Sequence, residues 1–481
     1  MCNDRVLRVI PGVQSYDWGI PGGADDCLVA DFAAGTPELA SPRRADEPYA
    51  EVRPLWMGTH PALPSRIADA RGAHPLLHEY LCARPALLGS DTVARFGINK
   101  QCTLPFLFKV LSINKALSIQ AHPDKANAER LHAETPSMYK DDNHKPEMAI
   151  ALRPFEGFCG FRPVREVLQF VECVPELREV LRVDDVMLAA LRAAAGAQDE
   201  LLAGRCGDAD RARQCVHDAL QRPFCALMRA ERGRVEDAVA RLAARYAAAP
   251  HGVEVDARIA ELVARLDAQF PRDVGVLCTF FLNLVQLAPG EAIFLGANEP
   301  HAYISGNLLE CMAASDNVVR AGLTPKARDV DVLVHMLTYQ STPAADQVLH
   351  AAPWTGESGA ATSLLYEPPV PEFSVVLTTV DARSASRQRS VAGPSILLVV
   401  EGTGSLAWAE PADSQPSPGA RDQRSPRARD GADGAACSSP QSLHPGSVFF
   451  LGAGTAIALR TASHLCVARA FVEAGAGGEG A

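Results

Sequence analysis

The chain has no excess of positive charge: 46 lysines and arginines stand against 57 aspartates and glutamates, a formal net charge of −11. Such a surface repels phosphate backbones and anionic lipid, so neither nucleic acid nor a membrane surface is expected as a partner. A run of apolar residues long enough to cross a bilayer is also missing. The most apolar window, Val274 to Leu287, is broken by Asn283 and Gln286. It falls short of the roughly 18–20 residues that a span requires. No C-x-x-C pair occurs, and the 13 cysteines are odd in number and scattered from Cys2 to Cys466. That pattern fits reduced thiols in a cytosolic protein and argues against a disulfide framework. The N-terminus carries Asp4, Arg5 and Arg8 where a secretory signal would be apolar, so no such signal is expected.

What is present is ample material for cores. The 481 residues are 47% hydrophobic and 21% charged, and at roughly 150 residues per domain the length suggests about three domains. The first part is rich in proline and glycine, with short apolar runs at Leu104–Ser112 and Ala116–Ala121 that suit strands. From Val164 to Phe270 the texture changes to alanine, leucine, arginine and glutamate. Apolar residues recur at helical spacing there, at Val167, Phe170, Val171 and Val174, and again at Ile259, Leu262, Val263 and Leu266. An all-helical insertion is expected.

Strand-like runs return near Val274 and continue at Phe373–Thr379, Ser395–Val400 and Ser447–Leu451, the pattern of a β-sandwich or jelly roll. The expected division is 1–163 and 273–330 for one split domain, 164–272 for the helical insertion and 331–481 for a C-terminal domain. Within the last, Pro411–Pro440 has almost no aliphatic side chains. It cannot offset its ordering entropy and is expected to be a disordered loop that expands a hairpin.

The chemistry concentrates in a few short stretches. In Leu117–Lys125, strand alternation sets Ser118, Gln120 and His122 on one face and Leu117, Ile119 and Ala121 on the other, toward a core. An amide oxygen and an imidazole two residues apart can both reach one metal ion. Adding Glu147 and His301 gives two imidazoles, one carboxylate and one neutral amide, a set suited to zinc. One carboxylate leaves a divalent ion under-neutralised, so it remains a good Lewis acid. The segment Glu310–Lys326 then gathers Glu310, Asp316, Arg320 and Lys326 around small residues and a Gly/Pro turn. By spacing alone this stretch also fits a solvated charged loop.

Several blocks together carry a resemblance: QSYDWG at Gln14–Gly19, LPFLFKVLS at Leu104–Ser112, ALSIQAHPDK at Ala116–Lys125, HKPEMAIAL at His144–Leu152, GFCGFRP at Gly157–Pro163, NEPHAYISG at Asn298–Gly306 and the 17 residues Glu310–Lys326. In these the chain resembles the type I mannose-6-phosphate isomerases, zinc-dependent phosphomannose isomerases of the cupin superfamily. The resemblance implies a mainly β fold: a cupin-type jelly-roll catalytic domain, an all-helical insertion and a second C-terminal jelly-roll domain. It implies one zinc ion held by Gln120, His122, Glu147 and His301, and a catalytic role for Arg320. The pocket would be lined by Trp18, Lys145, Tyr303, Glu310, Asp316 and Lys326, with Lys109 and Ser118 toward the substrate phosphate.

The implied reaction interconverts mannose 6-phosphate and fructose 6-phosphate by moving a proton between C1 and C2 through an enediolate, in a cytoplasmic monomer that supplies GDP-mannose synthesis and glycosylation. Lys145, Glu310, Asp316 and a zinc-bound water are all candidates for the base. Two other readings stay open at this point. An iron-binding cupin would also use two histidines and a carboxylate, though Gln120 would crowd its open positions. A non-catalytic sugar-phosphate sensor would keep the pocket without the turnover.

Overall fold

A computed structural model describes residues 5–473 apart from 15, 22–23, 25, 40–53, 70–71, 99–101, 249–254 and 410–439. The loop expected at Pro411–Pro440 lies outside the described residues, save Pro440 itself. The two strand-like runs near residue 110 behave differently. Leu104–Ser112 yields a strand at Phe106–Ile113 in which all eight residues are buried. Ala116–Ala121 yields only the three-residue strand Ile119–Ala121.

The organising element of the first sheet is the 13-residue strand His301–Ala313. Along its second half it pairs antiparallel with Phe106–Ile113 on one side and Glu147–Ala151 on the other. Along its first half the partners are Phe155–Phe161 and Ile119–Ala121, and the latter pairs onward with Val319–Gly322. The exchange of partners falls at a register shift between Tyr303 and Ser305. Gly306 follows with φ +117, and a Cβ there would lie 2.4 Å from the Pro154 carbonyl oxygen. Only glycine fits that approach. One strand thus runs through both layers of a sandwich, carrying His301 at one end and Glu310 near the other.

The helical insertion forms as its periodicity requires. Among the described residues, six α-helices run from Val164–Cys173 to Ala257–Gln269. The first buries Val167, Phe170 and Val171, and the last buries Ile259, Leu262, Val263 and Leu266. Asp184, Asp208 and Asp256 cap three of them by accepting backbone N–H bonds. These helices share one hydrophobic core with Ile119, Ala121, Phe158 and Phe161 of the sheet. The Val274–Leu287 window splits into a 3-10 segment, Val274–Phe280, and the strand Leu282–Leu287. No helix among the described residues is long and apolar enough to cross a membrane.

The C-terminal part is a second sandwich. Ser374–Val380, Ser395–Gly402, Val448–Leu451 and Leu465–Phe471 build an eight-stranded sheet, which faces a five-stranded sheet containing Ala385–Gln388, Gly404–Ala409 and Ala456–Arg460. Leu397, Val399, Leu406, Trp408, Phe449, Leu451 and Leu459 fill the space between them. The chain's first strand, Val6–Ile10, belongs to this eight-stranded sheet, pairing with Val448–Leu451. The mainly β architecture of two jelly-roll sandwiches with an all-helical insertion agrees with the fold class expected from the sequence.

Candidate metal centre and active cavity

His122 just after the strand Ile119–Ala121, Glu147 at the start of Glu147–Ala151 and His301 at the start of His301–Ala313 are brought together, and all are buried. Their candidate ligand atoms lie within 4.8 Å of one another. His122 Nε2 is 3.4 Å from Glu147 Oε1, and His301 Nε2 is 3.4 Å from Glu147 Oε2. Each imidazole is fixed from its far side. His122 Nδ1 donates to the Asn317 carbonyl at 2.6 Å, and His301 Nδ1 donates to the Glu299 carbonyl at 2.9 Å. A carbonyl can only accept, so both Nδ1 atoms carry the proton and both Nε2 atoms present lone pairs inward.

Those inward atoms, His122 Nε2, His301 Nε2 and Glu147 Oε2, are buried with no hydrogen-bond partner among the described residues. Buried polar atoms left without partners are costly, and three converging on one point call for a common partner. Two neutral nitrogens and one carboxylate oxygen fit a borderline divalent metal such as zinc. Burial and the Lys145 ammonium push His122 down to about 4, which keeps it neutral. Burial by itself would raise Glu147, but Lys145 and the two histidines hold it well below the usual carboxylate range. The electrostatics therefore hold His122 and Glu147 in their ligating forms at neutral pH.

Gln120 lies directly beside this cluster. On the short central strand it is in register with His301 on one side and Arg320 on the other. Ser118 Oγ donates to Gln120 Oε1 at 3.3 Å. Ile119 and Ala121 enter the core as alternation requires. Leu117 does not follow them: it packs with Trp18 and Tyr303 and lines the cavity. The reason is local, because regular pairing begins only at Ile119 and Leu117 N–H is drawn instead to the Tyr303 carbonyl at 2.8 Å.

A cavity of about 440 Å³ opens above the cluster and brings together Trp18, Lys109, Ser118, Gln120, Lys145, Glu147, Tyr303, Glu310, Asp316, Arg320 and Lys326. Lys145 Nζ stands 3.1 Å from Glu147 Oε1. Lys109 is buried, pairs with Glu310 at 2.7 Å and lies over the Trp56 ring at 4.8 Å. Its charge is therefore committed inside the protein. Burial, followed by the charges of Glu310 and Glu147, raises the Tyr303 hydroxyl well above its ordinary value. Asp316 is 47% exposed and sits 3.6 Å from His60. The Arg320 guanidinium is half-buried and makes no hydrogen bond or ion pair among the described residues. A guanidinium left open in a cavity is suited to an anionic or polyhydroxylated ligand.

The family comparisons agree with this geometry. Three type I phosphomannose isomerase descriptions match the chain: the catalytic domain over residues 6–164, the helical insertion domain over 197–282 and the C-terminal part over 363–408. The chain is 43% identical over 475 residues to a mannose-6-phosphate isomerase of Cryptococcus neoformans var. neoformans, covering 98% of this chain and 99% of the relative. The chain belongs to the type I phosphomannose isomerases. Its identity to the Candida albicans mannose-6-phosphate isomerase is 39%, over 98% of this chain and all of that one. Among solved structures, a zinc-bound mannose 6-phosphate isomerase superimposes with a TM-score of 0.70 at 27% identity, covering 98% of this chain and 100% of that one. A phosphomannose isomerase of Salmonella typhimurium carrying an arginine-to-alanine substitution gives a TM-score of 0.71 at 27% identity, with the same coverage.

As a phosphomannose isomerase, the chain has pocket residues that sequence reasoning did not reach. Tyr16 stacks on Trp18 at 4.9 Å, and Trp56 meets His60 edge-on at 5.3 Å. All four line the cavity. Tyr16 was within reach, since it belongs to the QSYDWG block. His60 and Trp56 sit in stretches with no motif, and only the fold brings them to Asp316 and Lys109.

Proposed function

We propose that this chain is a zinc-dependent aldose–ketose isomerase interconverting mannose 6-phosphate and fructose 6-phosphate. The observation that carries the reading is the trio of inward atoms on His122, Glu147 and His301, partnerless among the described residues, beneath a cavity into which Arg320 opens with no partner among those residues either. These three residues, joined by Gln120, would hold one zinc ion. Bound there, the ion would supply positive charge close to the sugar oxygens on which negative charge develops.

The isomerisation moves one proton between C1 and C2, with matching movement of the oxygen protons. Arg320 remains charged at any working pH and stabilises the developing negative charge. Glu310 and Lys145, both buried and lining the cavity, are the groups best suited to carry the proton. Asp316 is less suited, because at 47% exposure water competes for its proton. Lys109 holds the Glu310 carboxylate in its orientation. Lys326 and the Ser118 hydroxyl would meet the phosphate, while Trp18 and Tyr303 would form the wall against the sugar ring.

This reading extends to a cytoplasmic monomer that supplies mannose 6-phosphate for GDP-mannose synthesis and glycosylation. It also retains the division at 1–163, 164–272, 273–330 and 331–481. The deciding experiment is isomerisation of mannose 6-phosphate by purified protein before and after chelation. Activity that vanishes with chelator and returns with zinc is expected. Binding of the sugar phosphate by the zinc-loaded protein without turnover would replace the isomerase with a sensor.

A further inference from the structure

Asp141 lies outside the cavity, yet its carboxylate gathers donors from the loop that closes the site. Oδ1 accepts from the Ser315 hydroxyl at 2.7 Å and from Asn143 N–H at 3.0 Å. Oδ2 accepts from Asp316 N–H at 2.8 Å. The Asn317 side-chain amide donates to the Asp141 carbonyl at 2.6 Å and to the Asn143 carbonyl at 3.0 Å, and it also reaches Asp141 Oδ1 at 3.3 Å. Asn317 N–H in turn donates to the Ser315 hydroxyl at 3.2 Å. Ser315 and Asn317 are both buried, so these bonds are shielded from competing water.

The loop held in this way does two things. The Asn317 carbonyl accepts the Nδ1 proton of His122 at 2.6 Å. The same turn delivers Asp316 to the cavity beside His60. Asp141 is thus one loop removed from His122, and its link to the imidazole runs through Ser315–Asn317. An outer partner of this kind fixes a ligand's tautomer and ring direction, and disturbing it typically weakens metal binding about 10–100-fold.

We propose that Asp141 is a positioning residue for the metal centre, setting the orientation of His122 through the Ser315–Asn317 loop. The proposal rests on the zinc reading above. Asp141→Asn is the isosteric test: it leaves one oxygen acceptor but turns the other into a donor facing either the Ser315 hydroxyl or Asp316 N–H. Zinc affinity is measured on the full chain by competition with a chromophoric chelator, alongside the melting temperature of the metal-free protein.

The expected result is a zinc Kd raised about 10–100-fold, with activity recovered at excess zinc. Ser315→Ala removes one of the four bonds to the carboxylate and is expected to raise Kd about 3–10-fold, a fraction of that loss. A Kd within threefold of the parent for Asp141→Asn overturns the proposal, whatever happens to the melting temperature, since that outcome marks a merely structural loop. If Asp141→Asn does not fold, Ser315→Ala decides alone, and an unchanged Kd again overturns it. A parent chain that binds no zinc removes the metal reading itself, a failure separate from any difference between variants.

Discussion

At the scale of single residues, the site is built from commitments. His122, His301 and Glu147 each give one atom inward, and each histidine gives its other nitrogen to a backbone carbonyl. Lys109 is spent on Glu310, and Lys145 stands on Glu147. Against this background Arg320 is conspicuous for having no partner among the described residues. Replacing it should remove charge stabilisation without disturbing the metal. Arg320→Ala is expected to lower kcat about 10²–10³-fold, with zinc content and melting temperature near those of the parent. Steady-state kinetics with metal analysis check this, and a variant losing zinc in parallel would place Arg320 in the scaffold instead. The cluster of His122, Glu147 and His301 was legible in sequence only when the separate blocks were read together as one donor set, since none of them decides the chemistry by itself. Asp141 and His60 were not, since their meaning depends on contacts with residues some 170 or more positions away.

At the scale of elements, legibility followed the range of the interaction. The helices could be read from spacing, because apolar recurrence every three or four residues is a local property that the packed structure keeps at Val167, Phe170 and Val171 and at Ile259, Leu262, Val263 and Leu266. The strand Phe106–Ile113 could be read as well, since a strand paired on both sides and buried throughout is a continuous apolar run. Leu117 was misread because alternation needs regular pairing, and pairing starts two residues later. The partner exchange within His301–Ala313 was not legible at all. It depends on Gly306, whose left-handed backbone and close approach to Pro154 and Phe155 become visible only in three dimensions. Gly306→Ala would force a Cβ to within 2.8 Å of the Phe155 Cα as well as against the Pro154 carbonyl. The cost should be at least about 1–3 kcal/mol. Because the same strand carries His301 and Glu310, zinc affinity and kcat should fall with stability. A denaturant titration showing no loss of stability would mean that the strand tolerates the crossover without glycine.

At the scale of the whole molecule, the two sandwiches are less separate than their sequences suggest. One hydrophobic core contains Phe106, Phe108, Met148 and Ile150 from the first together with Tyr366, Phe373, Ile396 and Phe450 from the second. Strand Val6–Ile10 reinforces the union by crossing from the start of the chain into the C-terminal sheet, a pairing that no local pattern announces. Polar links span the same boundary. Tyr366 donates its hydroxyl proton to the Gly290 carbonyl at 2.6 Å, and burial, with a smaller push from Cys466, raises its pKa to about 12. The folded state therefore favours the protonated phenol. Its contribution is complete below about pH 10, where the unfolded phenol titrates, and is lost as pH rises from there toward 12. Tyr366→Phe should be less stable than the parent at pH 8, and the gap should narrow above pH 10. Denaturant midpoints at the two pH values test this, and a gap that stays constant would detach the phenol from the alkaline loss.

The second link reaches the active site. Glu372, buried in the C-terminal half, meets His144 Nε2 at 2.6 Å, and His144 is followed at once by Lys145 and, after Pro146, by Glu147. A contact made this close to the ligand strand ties the folding of one sandwich to the geometry of the other. Hydrogen bonds to charged groups contribute about 1.5–3 kcal/mol, and truncating either partner should cost about that much. Groups in direct contact should not add, so a double-mutant cycle of Glu372→Gln and His144→Ala is expected to show a coupling of about 0.5–3 kcal/mol. Additive losses would mean that the pair is incidental. In that case the shared apolar core alone would hold the halves together, and metal content would be indifferent to both substitutions. If the coupling is found, the prediction extends to function: each single variant should lose zinc more readily than the parent on warming, because loosening the C-terminal sandwich loosens the segment that carries Glu147.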